Sequence, residues 1–164
     1  MDIAKEKRAI QYLKTFEPQT EPYYLCYSGG KDSDVIRILA GLAGVKHDIV
    51  NKHTTVDAPE TVRYIRSIPN IIITYPEKSM WQLIVHKGIP PTRLVRYCCA
   101  ELKEKGGKGR LKITGVRKAE STSRLHNSDL IEIIGKPKTV ERMADEMQVE
   151  IKKNRQRRHY SQPR

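Results

Sequence analysis

Apolar positions along the chain recur in two alternating periods. Ile3, Ile10, Leu13 and Phe16 fall near one face of a 3.6-residue helix and predict an amphipathic helix over residues 2–16. The segment Glu17-Pro18-Gln19-Thr20-Glu21-Pro22 breaks it. Tyr23-Tyr24-Leu25-Cys26-Tyr27 then runs without polar alternation, the pattern of a central strand covered on both faces. After the turn Ser28-Gly29-Gly30-Lys31-Asp32-Ser33, helical spacing returns at Val35, Ile36, Ile38, Leu39, Leu42 and Ala43, with Gly44 as the stop.

The alternation continues. Residues 47–53 predict a second strand. Asp57-Ala58-Pro59-Glu60 opens a helix to about Ser67, with Asp57 as cap, Pro59 in the first turn and Glu60 completing a capping box. Asn70-Ile71-Ile72-Ile73-Thr74 is a third strand. Ser79-Met80-Trp81-Gln82 is another capping box, and its helix stops at Gly88. A helix from about Thr92 to Lys105 carries the adjacent Cys98 and Cys99, and Gly106-Gly107-Lys108-Gly109 is a loop. Leu111 to Val116 predicts a fourth strand and Leu130 to Ile134 a fifth. Val140, Met143, Ala144, Met147 and Ile151 mark a last amphipathic helix. Strands separated by helices predict an α/β fold, a doubly wound, mostly parallel five-stranded sheet with helices on both faces. Residues 1–150 form this domain and residues 151–164 a basic, mobile tail. In such sheets ligands sit beyond the carboxyl ends of the strands, where the strand order switches direction.

Composition narrows the function classes. The 164 residues (18.9 kDa) suffice for one buried core without disulfides. No apolar run approaches the ~18 residues that a membrane span needs, and the mean hydropathy is −0.62, so no membrane partner is expected. The opening residues carry no apolar stretch of a secretory signal. Cys26, Cys98 and Cys99 are an odd number and cannot form a disulfide framework, which points to a reducing, cytoplasmic setting. The net charge is +12. Half of it comes from Lys152, Lys153, Arg155, Arg157, Arg158 and Arg164, with no acid among residues 151–164. That run is expected to meet a polyanion, nucleic acid first, or else to serve as a solubilising end. The other half favours an anionic ligand on the domain.

The glycine turn is the first place to look for chemistry. Two glycines directly after a buried strand allow positive φ and close ligand approach. The following helix offers free amides and the positive end of its dipole, together an anion site suited to phosphate. Lys31 supplies a mobile cation, Ser28 and Ser33 supply hydroxyls, and Asp32 can hold the loop or reach a Mg²⁺ bound to the phosphates. The spacing is not that of the P-loop, whose earlier glycine is replaced here by Leu25. The ordinary alternative is a tight strand-to-helix turn capped by Asp32 or Ser33.

Ser28-Gly29-Gly30-Lys31-Asp32-Ser33 resembles the PP-motif of the ATP pyrophosphatases. Three further segments are similar to the phosphoadenosine phosphosulfate (PAPS) reductase family, in the family's order: His53-Thr54-Thr55-Val56-Asp57-Ala58-Pro59-Glu60-Thr61, Arg96-Tyr97-Cys98-Cys99-Ala100-Glu101-Leu102-Lys103, and Thr114-Gly115-Val116-Arg117-Lys118-Ala119-Glu120-Ser121 with Arg124 beyond. The resemblance implies an adenine nucleotide alpha-hydrolase-like fold. It implies an enzyme that binds ATP, or PAPS or APS, with Mg²⁺, and that cleaves or transfers at the α-phosphate in sulfur metabolism or nucleic-acid sulfur modification. Lys31, Asp32, Arg117 and Arg124 would be its catalytic residues, the two arginines serving the nucleotide's anionic end.

Other positions join the expected site. Asp57 follows the second strand and can bond ribose hydroxyls or act as a cap; His53 and Thr54 lie on the same edge. Gly115 permits close approach after the fourth strand, and Arg117 and Arg124 can clamp an anion through bidentate bonds or pair with Glu120. Arg96 and Lys103 share a helix face and either extend the positive pocket or are solvated. Iron–sulfur members of the family complete a Cys-Cys pair with a downstream Cys-x-x-Cys; no cysteine follows Cys99, so no iron–sulfur cluster is expected. The family's reductases carry a catalytic cysteine in a C-terminal Glu-Cys-Gly segment that this chain lacks. A thiol-dependent PAPS/APS reductase is therefore the lesser alternative. A third is a non-catalytic nucleotide- or nucleic-acid-binding subunit whose site a protein partner completes.

Overall fold

The computed structural model describes residues 3–107, 109–116, 131–133, 149–153 and 159–163, the last three stretches by their backbone. They belong to two compact units, Met1–Gly115 and Val116–Arg164.

The first unit is a parallel α/β sheet. In chain order it runs α1 (Ile3–Thr15), β1 (Tyr23–Cys26), α2 (Lys31–Ala43), β2 (His47–Lys52), α3 (Pro59–Arg66), β3 (Ile71–Thr74), α4 (Met80–Lys87), a π-helical turn (Cys99–Glu104) and β4 (Lys112–Ile113). The strand order is β3-β2-β1-β4, with every pairing parallel. Tyr23 to Cys26 stand opposite His47 to Val50, while Tyr24 and Leu25 stand opposite Lys112 and Ile113. The order reverses at β1, so the carboxyl ends of β1 and β4 flank the crevice where ligands of such sheets bind.

Residue alternation along the strands divides the two faces. Tyr23, Leu25 and Tyr27 point to one face, where they meet Ala40 and Ala43 of α2, Val45, and Ile65 and Ile68 from α3 and just beyond it. Ile10 and Leu13 of α1 pack on the same cluster. Leu25 has no exposed surface, so truncation to alanine there costs about 2–5 kcal/mol. Tyr24, Cys26, Val50 and Lys52 take the opposite parity. Lys52 and Thr74 share a cleft with Leu83 of α4 and Leu102 of the π-helical turn, so helices cover both faces.

Local signals set most boundaries. Gly44 and Gly88 end α2 and α4 in the left-handed conformation, at φ 69° and 72°, and Pro59 occupies the first turn of α3. Ser79 and Gln82 make the expected reciprocal capping box. Three expectations within this unit need correction. Asp57 does not cap α3: the cap position is Ala58, which makes no side-chain bond, and the Asp57 carboxylate accepts instead from the Thr54 amide at 3.0 Å. The expected helix from Thr92 is not helical until Tyr97, and Cys99–Glu104 is wound as a π-helix. The fourth strand is limited to Lys112–Ile113.

The fifth strand does not extend the parallel sheet. Ile131–Ile133 (β5) pairs antiparallel with His159–Pro163 (β7), which pairs antiparallel with Val149–Lys153 (β6), in the order β5-β7-β6. Ile151, read as the end of a helix, is therefore in a strand; residues 134–148, which carry the rest of that reading, lie outside the described residues. Within the run read as a tail, residues 151–153 pair opposite residues 159–161.

Candidate functional site

The glycine turn lies where strand periodicity hands over to helical periodicity. β1 ends at Cys26, and α2 begins at Lys31 with Gly30 in the cap position. Gly29 has φ +78°, which only glycine adopts without strain. A Cβ there would sit 2.9 Å from Cγ1 of Ile65 and 3.2 Å from Cγ2 of Thr61, so α3 presses directly on the turn. Gly30 is extended at φ −94°, ψ 162°, and among the described residues its Cβ direction meets only Ser28 Oγ, at 3.6 Å. The two glycines thus do different jobs: Gly29 makes the bend and Gly30 leaves space.

Hydrogen bonds brace the turn from within. The first helical bond runs from the Asp34 amide to the Gly30 carbonyl at 3.0 Å, so α2 opens its positive end at residues 31–33. Ser33 is buried; its hydroxyl donates to the same carbonyl at 2.7 Å and accepts from Ser28 Oγ at 3.3 Å. Ser33 therefore holds the loop, while Ser28, Gly30 and Lys31 are exposed at its rim. Asp32 is half-buried in the first turn of α2. It is the one carboxylate of the Ser28–Ser33 motif. One carboxylate suits Mg²⁺, which keeps several waters and takes the rest of its ligands from substrate phosphates. Among the described residues no group of three or more His, Cys, Asp and Glu side chains converges.

Gly115 closes the crevice from β4. A Cβ on it would lie 3.0 Å from the carbonyl carbon and oxygen of Asp32 and from Cδ1 of Ile36. The structure thus brings Ser28, Gly29, Gly30, Lys31, Asp32, Ser33 and Gly115 together at the β1/β4 switch point. Arg117 and Arg124 lie outside the described residues.

Thr54 and Asp57 sit in the loop after β2, one strand over. Thr54 is buried, and His53 Nδ1 lies 3.8 Å from Asp57 Oδ2 while its ring meets Tyr75 edge-on at 5.2 Å. Asp57 thus fixes the shape of the carboxyl-edge loop. Arg96 is exposed ahead of the π-helical turn and donates to Cys99 Sγ at 3.3 Å, and this contact holds its guanidinium protonated above the usual arginine range. Cys26 ends β1 half-buried; burial pushes its thiol up, against the opposing pull of Lys112 and Lys52. Its protonated form is favoured, which suits a packing role over a nucleophilic one.

Three supports were not read from sequence. Asp34 accepts from the hydroxyls of Tyr27 at 2.6 Å and Tyr64 at 2.9 Å, tying α2 to β1's end and to α3. Burial first, then the bonds to Asp34 and Tyr64, raise the Tyr27 phenol. The buried Asn51 amide donates to the Tyr27 carbonyl at 2.9 Å, holding the strand end just before the turn. Arg110 donates to the Pro22 carbonyl at 2.7 Å and to Asp48 at 2.6 Å, beneath the ring of Tyr24, and so pins the chain before β4 to the start of β1. Asp34 adjoins the recognised motif and could have been flagged there. Arg110 pairs with residues 62 and 88 positions away, for which no local pattern exists.

No family model matches the chain, and no solved structure matches it. An uncharacterized protein of Methanocaldococcus jannaschii is 31% identical over 134 residues, covering 73% of this chain and 28% of that protein. The chain spans less than a third of that relative's length.

Proposed function

We propose that the parallel unit binds Mg²⁺–ATP at the glycine turn and supports cleavage or transfer at the α-phosphate with release of pyrophosphate. The observation that carries this reading is the combination at the β1/β4 switch point. A positive-φ Gly29, an unencumbered Gly30 and the open end of α2 lie against a Gly115 with room for no Cβ. Gly115 lets β4 close directly on the Asp32 backbone, Gly30 leaves the space over the turn open for a ligand, and an α-helix N-terminus selects an anionic one. The resemblance to the PP-motif pyrophosphatases and the PAPS reductase family supplies the nucleotide and the reaction type, with an adenine nucleotide alpha-hydrolase-like fold.

In this reading the amides of residues 31–33 and the Lys31 ammonium hold the β,γ-phosphates. Mg²⁺, carried by the phosphates and reached by Asp32, would neutralise charge on them. An acceptor attacks the α-phosphorus, a new bond forms there, and the bond to the bridging oxygen breaks with pyrophosphate leaving. Arg117 and Arg124 would meet the charge developing on the leaving group. The test is incubation with α-labelled ATP and Mg²⁺. Labelled AMP or an adenylated acceptor, with stoichiometric pyrophosphate, supports the reading. Labelled ADP as the product contradicts it.

A further inference from the structure

The strongest unassigned feature is α4 with the cleft beside it. Trp81 is 68% exposed and Val85 83%, one helical turn apart on the outer side of α4. Leu83 of the same helix is buried. Trp81, Val85 and His86 line one shallow surface, and His86 also lines a cleft of about 310 Å³ that begins at Lys52 and Thr74. The apolar strip and the cleft are therefore contiguous. Lys52, Lys78, Lys87 and Lys105 border the cleft, against two carboxylates, Glu77 and Glu101. Glu101 is already bonded to Lys105, and that bond, with Lys87 and Lys78 nearby, holds its carboxyl below the usual range. Tyr75, 61% exposed, supplies a second aromatic ring at the cleft wall. Nearby, the buried Tyr24 hydroxyl has no hydrogen-bond partner among the described residues, although it and Lys52 Nζ both lie within 3.0 Å of the point where a Gly106 Cβ would sit.

We propose that this face binds single-stranded nucleic acid, with Trp81 and Tyr75 as stacking platforms for bases and Lys52, Lys78 and Lys87 as contacts for the backbone phosphates. Exposed aromatic rings interleaved with lysines are what a single strand needs: every base offers a π-face, and every nucleotide offers a charge. A single-stranded polyanion satisfies both features, its bases meeting the exposed rings and its phosphates the lysines. The cleft opens at the carboxyl ends of β2 and β3, the sheet edge that also carries the glycine turn. The surface does not depend on the nucleotide reading, and its test needs no ATP.

Trp81 is the chain's one tryptophan, so its fluorescence reports on this surface alone. Titrating the full chain with a labelled oligothymidylate of about 16 nucleotides is expected to quench Trp81 and raise the label's anisotropy along one curve. Trp81→Ala should weaken binding about tenfold and Trp81→Phe should restore most of it, as stacking requires. Lys78→Ala with Lys87→Ala should flatten the slope of log affinity against log salt by about 1.4, the single-strand value for two phosphates. The proposal is overturned if the anisotropy rises with Trp81 fluorescence unchanged, because the strand is then held elsewhere, the basic run of residues 151–164 included. It is equally overturned if duplex DNA of the same length binds as tightly, or if Trp81→Ala keeps its thermal stability and full affinity.

Discussion

A Cβ on Gly115 would stand 3.0 Å from the carbonyl oxygen of Asp32, so the end of β4 and the first turn of α2 meet with no room for a side chain. The atom in the way is backbone, which cannot swing aside. Gly115→Ala should therefore widen the crevice proposed to seat the phosphates, cost about 1–3 kcal/mol through overpacking, and weaken Mg²⁺–ATP binding. Thermal unfolding and calorimetry on the same variant check both effects. Unchanged values for both would show that the two segments separate freely.

The two glycines of the turn should separate under substitution. Gly29→Ala places a Cβ 2.9 Å from Ile65 at a φ of +78°, so it should lose about 1–2 kcal/mol of stability from the left-handed backbone alone. Among the described residues Gly30→Ala meets only Ser28 Oγ, at 3.6 Å in extended backbone, and should unfold at the wild-type temperature. Its effect should fall on ligand binding. Equal stability losses at the two positions would refute this division of roles.

Asp34 joins three elements through Tyr27 and Tyr64. Asp34→Ala leaves the buried Tyr27 hydroxyl without its acceptor, a loss of about 1–3 kcal/mol, whereas Tyr64→Phe removes a partner at the surface and should cost less. Chemical denaturation of the two variants orders them. The reverse order would mean that the α3 side of the joint carries the stability.

The tyrosines also set an alkaline limit. Burial raises the phenols of Tyr23 and Tyr27 above the ordinary tyrosine value. The unfolded chain then releases these protons from about pH 10 upward while the folded chain keeps them. Stability is fully present below that pH and falls as pH rises above it. Unfolding temperatures measured between about pH 9 and 11 should drop, and Tyr27→Phe should make the drop shallower. A flat profile would mean that neither phenol resists ionisation.

Much of the parallel unit was legible because its signals are local. Gly44, Gly88, Pro59 and the Ser79–Gln82 box stand where the backbone needs them, and Tyr23–Tyr27 is apolar on both parities because helices cover both sheet faces. The readings that failed depended on context. Asp57 has the composition of a helix cap, yet its carboxylate accepts from the Thr54 amide. Thr92–Arg96 has no helix breaker after Pro91, yet only the segment from Tyr97 onward is wound. The Leu130–Ile134 pattern marks a strand without saying which sheet it joins; that choice rests on residues 159–163, nearly thirty positions on. The candidate site was legible to the same degree. The turn and Gly115 carry local glycine signatures, whereas Asp34 with Tyr64 and Arg110 with Asp48 are pairings across 30 and 62 positions.

The most direct test of the account is calorimetric titration of Mg²⁺–ATP into the wild-type chain, Gly30→Val and Lys31→Ala, with unfolding temperatures measured in parallel. Both residues are exposed at the rim of the turn, so both variants should fold as the wild type does. Removing the ammonium, or filling the space over the turn, would take away the proposed contacts to charged phosphate, worth about 1.5–3 kcal/mol, so each variant should bind roughly tenfold more weakly or worse. Equal ATP affinity in all three proteins would contradict the account.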